Sequence, residues 1–286
     1  MLNKGHACCQ IIRSISQWSC GVQTEKSIQA AYLDLIDNAQ HYIYIENQYF
    51  ISVENGLSET IFQRVARAIK FNEKFRVYIL LPITPCGDWK LPAIKFVMKW
   101  QYDNISRGGT SILERLAASF PNVNLSDYIG FYSLRNAAVL GNTSVTDQIY
   151  IHSKLLIVDD RKVIIGSANI NDRSMQGDRD SEICILVDDH EFIESKMNGK
   201  FFLASKYAAT LRMALFSEHL GVEQPIMDPI CDETYTLWRK TATENQQLYC
   251  SMFPLTPRDY FTTMTVSIFL NYFIYFHPIT HPFCCH

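Results

Sequence analysis

The stretch that most constrains this chain runs from Tyr150 to Ser174 and reads YIHSKLLIVDDRKVIIGSANINDRS. Its apolar runs predict two buried strands, and the letters DDRK between them predict a hairpin turn. His152 and Lys154 nevertheless lie two residues apart in the first predicted strand. Because strand side chains alternate between faces, both should point the same way. Burying two ionisable groups side by side is unfavourable unless an anion lies opposite them, so the hairpin predicts an anion-binding site.

The return strand supplies a second set of polar residues. Ser167 and Asn169 share a face on or just past this strand, and a hairpin brings them close to the histidine and the lysine. Gly166 beside them would let the backbone approach a ligand closely. Such a pocket suits a phosphate, whose oxygens the lysine and the neutral donors hold while an imidazole serves as nucleophile, acid or base. Asp159 lies at the turn with the opposite parity to His152, so we expect it to fix the hairpin and not to touch substrate.

Composition narrows the class of protein. The 286 residues are 48% hydrophobic and 19% charged, which fits a globular protein. The net charge of −3 gives no broad basic footprint, so nucleic acid is an unlikely partner. Nine cysteines without a CxxC pair, and no apolar secretory signal, predict reduced thiols and a cytoplasmic location. No apolar run reaches about 20 residues, so we expect no spanning helix.

Helical and strand patterns alternate along the chain, which is typical of a layered α/β domain with a largely buried sheet. The predicted helices cover residues 26–40, 57–70, 89–102, 111–118 and 201–220. The predicted strands cover residues 41–50 (entering a loop at Glu46), 75–82, 123–134, 148–158 and 182–187, besides the return strand of the hairpin. We expect one catalytic unit over residues 6–253.

The predicted tail, residues 254–286, differs in composition from the rest of the chain. It is aromatic and nearly uncharged, and we interpret it as a misjoined, truncated or differently spliced end. Its cysteines and histidines do not have the spacing of the usual zinc-ligand pairs. No carboxylate cluster elsewhere stands at ligand spacing, so we expect no metal.

The polar letters of the hairpin form a known signature. HxKxxxxD, then six residues, then GSxN matches the motif of the phospholipase D superfamily at every position. Four flanking stretches resemble the C-terminal catalytic half of eukaryotic, animal-type, phosphatidylcholine-hydrolysing phospholipase D: IIRSISQWSCG (11–21), IENQYFIS (45–52), GSANINDRS (166–174) and RDSE (179–182). The resemblance implies a layered α/β/α phospholipase D-like fold with a mixed, mostly buried sheet.

The resemblance also implies roles for the residues of the motif. His152 takes the place of the histidine that either attacks the phosphodiester to form a phosphohistidine or protonates the leaving group. In the C-terminal half, the general acid and base role is the more usual one. Lys154, Ser167 and Asn169 match the positions that bind the phosphate, and Asp159 completes the motif.

Further residues are implied by the flanking motifs. Glu182 resembles a carboxylate that orients the histidine by hydrogen bonding, although a plain surface acid at the start of a strand is the other interpretation. Glu46 lies in a motif near the site, in which Asn47 and Gln48 are expected to bind substrate. We expect Arg173 and Asp180 to form ion pairs that support the hairpin without taking part in catalysis.

One HxK motif makes half a site in this superfamily, whose reaction needs two histidines. None of the other seven histidines has an HxK context. The chain is therefore expected to be half of a two-motif phospholipase D that converts phosphatidylcholine to phosphatidic acid and choline, or transfers the phosphatidyl group to alcohols. The resemblance implies no cofactor and a peripheral position at a membrane surface. The alternatives are a one-motif homodimeric phosphodiesterase or nuclease, and an inactive truncated product with exposed hydrophobic surface.

Overall fold

The computed structural model describes residues 7–88, 90–252 and 272–277. Its strands are β1 (Cys9–Ile15), β2 (Glu25–Lys26), β3 (Tyr42–Glu46), β4 (Arg76–Leu80), β5 (Ile129–Leu140), β6 (Thr143–Ile149), β7 (Leu155–Val158), β8 (Lys162–Gly166), β9 (Glu182–Asp188), β10 (Phe192–Met197), β11 (Lys200–Ser205) and β12 (Tyr272–His277). Its helices are α1 (Gln17–Cys20), α2 (Ser27–Asn38), α3 (Leu57–Lys70), α4 (Pro92–Ile105), α5 (Ile112–Ser119), α6 (Asp172–Met175), α7 (Lys206–Leu220) and α8 (Asp232–Met252). Of the predicted tail 254–286, all but the backbone of β12 lies outside the described residues.

One large mixed sheet organises the described chain. Its strand order is β12-β5-β4-β3-β7-β8-β9-β1-β2, and β6 pairs with β5. β3, β4, β5 and β12 run parallel, whereas β7, β8, β9, β1 and β2 join by antiparallel pairing. The strands β10 and β11 form a separate hairpin. The predicted α/β class with a mixed, mostly buried sheet is confirmed.

Residue alternation in the central strands explains the two cores. Ile43 and Ile45 of β3 face a core that includes residues of α2, α3 and α5. Tyr42 and Tyr44 of the same strand face a second core, which includes residues of α7 and α8. A strand that is apolar on both faces must be covered on both, so the helices lie on the two sides of the sheet in an α/β/α arrangement.

The predicted strand over residues 148–158 is wrong in one informative respect. β6 ends at Ile149 and β7 begins at Leu155, because β6 pairs with β5 whereas β7 pairs with β3. β4 lies between those two partners, so residues 150–154 must cross the carboxyl end of β4 instead of staying in the sheet. His152 and Lys154 therefore lie in a crossing segment, and the strand-parity argument does not apply to them.

The predicted helix over residues 201–220 is also wrong at its beginning. Residues up to Ser205 belong to the β10–β11 hairpin, and α7 begins at Lys206. The hairpin turn contains Asn198 and Gly199 with φ values of 54° and 74°. Asn-Gly is the sequence most typical of a two-residue hairpin turn, because both positions need positive φ. The helix predicted over residues 57–70, by contrast, has the bounds of α3.

A buried ion pair joins the hairpin of β7 and β8 to α7. Nη2 of Arg212 lies 2.6 Å from Oδ2 of Asp160, and both side chains are fully buried. The Tyr42 hydroxyl donates a further hydrogen bond to Oδ1 of Asp160, at 2.5 Å. A buried carboxylate in this position depends on its partners, because isolated charge is strongly disfavoured inside a protein.

Replacing Arg212 with methionine should lower the free energy of unfolding by about 3–5 kcal/mol, because Asp160 would remain buried without its cation. Urea unfolding at neutral pH measures the change. The matched control is Lys206→Met on the same helix, whose ion pair with Glu191 is half exposed and should contribute under about 1 kcal/mol. Equal losses in the two variants would contradict this account of the pair.

Candidate active site

The crossing segment brings the two ionisable residues of the motif to the carboxyl end of β3 and β4. Lys154 is only 6% exposed, whereas the side chain of His152 is exposed. The expectation that both share one strand face is thus wrong, and the reason is that neither residue lies in a strand. Nζ of Lys154 donates to the main-chain oxygen of His152 at 2.5 Å and to Oε1 of Gln48 at 3.3 Å.

The ammonium group of Lys154 is a buried cation without a paired anion. Among the described residues, no carboxylate oxygen lies within 4 Å of its Nζ. Burial lowers the pKa of this lysine, and the charge of Glu182 acts in the opposite direction. A cation in these surroundings gains more from an added anion than an exposed lysine does, because the surrounding dielectric is low.

Gln48 and Tyr150 lie on one side of this lysine, and we call these two residues the rim of the active site. Nε2 of Gln48 donates to the Tyr150 hydroxyl at 3.0 Å, and the Tyr150 ring stacks on the His152 ring with centroids 6.4 Å apart. The main-chain N–H of Cys86 also donates to the Tyr150 hydroxyl, at 3.2 Å. Sequence reasoning named Gln48 but missed Tyr150, although its position two residues before the histidine was a usable signal.

The side chain of Asn47 forms hydrogen bonds with main-chain groups in the described structure. Its Oδ1 accepts from the N–H groups of Tyr49 at 3.2 Å and Ile170 at 3.0 Å. Its Nδ2 donates to the oxygen of Ala168 at 3.4 Å. The residue predicted to bind substrate therefore ties the loop after β3 to the segment after β8.

Ser167 and Glu182 lie together beside the lysine. The Ser167 hydroxyl donates to Oε2 of Glu182 at 2.5 Å, and the N–H of Ile183 donates to that hydroxyl at 3.1 Å. The expected hydrogen bond between the His152 ring and Glu182 does not occur among the described residues. Both carboxylate oxygens are instead bound by serine hydroxyls, the second belonging to Ser174.

The short helix α6 supports this carboxylate from behind. Oδ1 of its N-cap residue Asn171 accepts from the N–H of Ser174 at 2.9 Å, and Oγ of Ser174 donates to Oε1 of Glu182 at 2.7 Å. The predicted pair of Arg173 and Asp180 is confirmed, with 2.8 Å between Nη2 and Oδ1. Ser174 is a residue that sequence reasoning missed, even though it lies within the quoted GSANINDRS motif.

The turn residue Asp159 binds backbone and lies away from the rim. Its carboxylate accepts from the N–H groups of Gln40, His41 and Tyr42 at 2.6 to 2.8 Å, just where β3 begins. Burial raises the pKa of Asp159, while the three N–H groups favour its charged form. This geometry has the turn-fixing character that we expected from its place in the turn, although the parity argument relative to His152 does not apply.

Gly166 and Asn169 complete the motif. The expectation that Gly166 admits a ligand needs correction, because the neighbouring strand occupies that space: a Cβ there would lie 2.3 Å from the oxygen of Ile183 and 2.5 Å from Cα of Cys184. Oδ1 of Asn169 is buried without a hydrogen bond to any described residue.

A carboxylate buried behind the crossing segment was named only as part of a motif. Oε1 of Glu46 accepts from the Tyr44 hydroxyl at 2.5 Å and lies 3.3 Å from Nε2 of His219. Its Oε2 accepts from the hydroxyl of Ser153, which stands between the histidine and the lysine of the motif. No sequence spacing links His219, at the end of α7, to this strand, so sequence reasoning could not find it.

Replacing Gly166 with alanine should cost about 1–3 kcal/mol in unfolding free energy, because the added methyl group meets the backbone of β9 and not a flexible side chain. Chemical denaturation measures the loss. Gly199→Ala tests a glycine with positive φ and open space around its Cβ, and its smaller loss reports conformational strain alone. A neutral Gly166→Ala variant would contradict the contact argument.

Glu46→Gln should lower the unfolding free energy by about 1–3 kcal/mol at neutral pH, because it removes a charged acceptor of buried hydrogen bonds. Burial alone would raise the Glu46 pKa, but the hydrogen bonds from His219, Ser153 and Tyr44 and the charge of His219 lower it below its ordinary value of 4.5. The stabilisation from this charge is therefore complete above that value and is lost as pH falls through the lower, folded-state pKa.

Urea unfolding of wild type and Glu46→Gln across this acidic range tests the sign of the pH dependence. The difference between wild type and Glu46→Gln should shrink as pH falls, whereas the exposed Glu194→Gln control should show no such trend. A difference that grows on acidification would contradict the role given to Glu46.

Comparisons with known proteins identify the family of this chain. A family model described as phospholipase D matches residues 8–147 and 138–263. The chain is 47% identical to phospholipase D zeta 2 of Arabidopsis thaliana over 272 residues, which cover 88% of this chain and 26% of the relative. It is 47% identical over 255 residues to phospholipase D B of Dictyostelium discoideum, with coverages of 85% and 21%. Phospholipase D1 of Homo sapiens is 42% identical over 271 residues, with coverages of 89% and 25%.

Fold and site together define a layered α/β protein with an HxK motif at a chain crossing and a GSxN motif at the end of β8. On the family model and these relatives, the chain belongs to the phospholipase D family. It spans about a quarter of the length of the curated relatives it matches. Within the described residues, no helix is long and apolar enough to cross a membrane. No group of three or more His, Cys, Asp or Glu side chains in that same part of the chain could hold a metal ion.

Proposed function

We propose that this chain is the catalytic half of a phospholipase D that hydrolyses phosphatidylcholine to phosphatidic acid and choline. The same site passes the phosphatidyl group to primary alcohols when they compete with water. The observation that carries the proposal is the unpaired cation of Lys154 beside an exposed imidazole. The phosphodiester of a phospholipid supplies the anion, with Gln48 and Asn169 as neutral neighbours.

Two transfers make up the proposed reaction. First, the histidine of a second half attacks phosphorus, the phosphorus–oxygen bond to choline breaks, and His152 gives its proton to the choline oxygen. Next, His152 takes a proton from water or an alcohol, whose oxygen attacks phosphorus as the phosphorus–nitrogen bond breaks. Lys154 stabilises the charge on the equatorial oxygens in both steps. Splitting the displacement in this way is typical of covalent catalysis, and the proposal includes no metal or other cofactor.

An exposed apolar row supports the need for a second half. Ile11, Ile185 and Ile165 are register partners on adjacent strands β1, β9 and β8, and all three are exposed. Ile183, on the same face of β9, is 56% exposed, and its main-chain oxygen accepts from the N–H of Ser167 at 3.0 Å. A contiguous apolar row that reaches the site is typical of an interaction surface. We assign it to the half that carries the other HxK motif.

The proposed setting is the cytoplasmic face of a membrane, where the enzyme binds peripherally. Phospholipid substrate exists as a bilayer surface, so a chain with this chemistry must meet that surface from the aqueous side. The one-motif homodimer is the second candidate, in which another copy of the same chain covers the apolar row.

His152→Ala should lower phosphatidyl transfer about 10²- to 10⁴-fold, because the acid and base of both steps is lost. The assay uses labelled phosphatidylcholine and a primary alcohol, with the 286-residue chain alone and mixed with a separately expressed half that carries the other HxK motif. His190→Ala, an exposed histidine outside the site, is the matched control and should retain full activity.

The outcomes separate the candidates. Transfer that needs both halves supports the split site, and transfer by this chain alone with a steep dependence on its concentration indicates the homodimer. Activity that survives His152→Ala, or no activity with either partner, would overturn the proposed mechanism for this chain.

A further inference from the structure

The helix α4 has an unusual composition for a surface helix. Lys90, Lys95 and Lys99 lie just before or within this helix, and Asp103 is its one acidic residue, although the whole chain carries a net charge of −3. Only its last turn and a half contributes fully buried side chains, at Gln101 and Ile105. Most of the helix therefore faces outward with apolar and basic residues.

The outward side of α4 is divided into an aromatic and a basic stripe. Phe96 and Trp100 are one turn apart, are 55% and 49% exposed, and have ring centroids 6.1 Å apart. Leu91, immediately before the helix, is also exposed. Lys95 and Lys99 lie one position ahead of the two rings and are also exposed, so they run alongside the aromatic stripe.

This helix is fixed to the rim of the active site. Oε1 of Gln101 accepts from the N–H of Phe50 at 3.4 Å, and Oδ1 of Asn104 accepts from the N–H of Ser52 at 3.0 Å. Both acceptors hold the segment that directly follows Gln48. The aromatic and basic stripes thus lie on the same end of the sheet as the HxK crossing.

We propose that α4 is an interfacial helix that inserts Leu91, Phe96 and Trp100 among the lipids of an anionic bilayer surface. Lys90, Lys95 and Lys99 would flank the inserted side chains at the level of the headgroups. The inference deepens the proposed function, on which it rests only for the choice of a phospholipid substrate. Its effect is to hold the mouth of the site against the surface that contains that substrate.

Charge favours a lipid surface over a protein partner as the occupant. Lys90 and Lys95 have no carboxylate within 4 Å among the described residues, whereas Lys99 contacts Asp103. Unpaired lysines beside exposed aromatic rings match the pattern of helices that lie in a membrane interface, where basic residues meet anionic headgroups. Protein interfaces, in contrast, are depleted in lysine at their centres.

Vesicle flotation with the full chain tests the proposal without any turnover. Vesicles of phosphatidylcholine alone are compared with vesicles that also contain phosphatidylserine. Phe96→Ala combined with Trp100→Ala should lower partitioning into both at least about tenfold, because the inserted apolar area is lost. Lys90→Gln combined with Lys95→Gln should weaken binding only to the anionic vesicles, by about fivefold for each lysine.

Two controls make the test specific. Phe71→Ala and Phe201→Ala remove rings that are as exposed as the two on α4, but Phe71 lies before β4, at the opposite end of the parallel strands, and Phe201 lies in the separate β10–β11 hairpin. These variants, and His152→Ala, should bind like wild type, so loss of activity and loss of docking are told apart. Unchanged binding by Phe96→Ala with Trp100→Ala would overturn the proposal. So would a loss of self-association with no loss of vesicle binding, since a protein would then cover the patch.

Discussion

Two adjacent aspartates at the turn between β7 and β8 tie the central strands to one covering layer of helices. The carboxylate of Asp159 binds the first three N–H groups around the start of β3, and that of Asp160 pairs with Arg212 of α7. Both residues have positive φ, 55° and 51°, a conformation that aspartate tolerates better than most residues. With β3, β7 and α7 fixed to one turn, the opposite end of the hairpin, where Lys154 lies, is held at the carboxyl edge of the sheet.

The position of the site follows from this topology. Loops that leave the carboxyl ends of parallel strands at a change in strand order form crevices, because neighbouring chains diverge there. Here the chain leaves β6, crosses β4 and enters β7, and the crossing carries His152 and Lys154. A residue in an irregular crossing can be exposed while its second neighbour is buried, because side chains there need not alternate between two faces. This arrangement places an accessible imidazole beside a shielded cation.

Much of the fold could be predicted from sequence, whereas the contacts behind the site could not. The helix over residues 57–70 and the strand that ends at Glu46 are encoded locally, by apolar periodicity. The break between β6 and β7 depends on which strands become neighbours, and no local pattern contains that information. The HxK and GSxN motifs are local in sequence and could be recognised. The contact of Glu46 with His219, 173 residues away, depends on the tertiary fold and could not be predicted. Gly166 shows the intermediate case: a close approach at this residue was predicted, but the group that approaches it is a strand and not a ligand.

The electrostatics of the site favour the binding of an anion at Lys154. Burial lowers the pKa of Lys154, so the charged form of this lysine is less stable in the folded chain than in water. The proposed phosphodiester would offset that penalty, and by linkage its binding would raise the lysine pKa. In the proposed reaction, the cation and His152 hold the phosphate and move a proton, and a second imidazole attacks from the other side of phosphorus. In the proposed function, the exposed isoleucines beside Ser167 face the partner half, and the outward rings of α4 face the lipid surface.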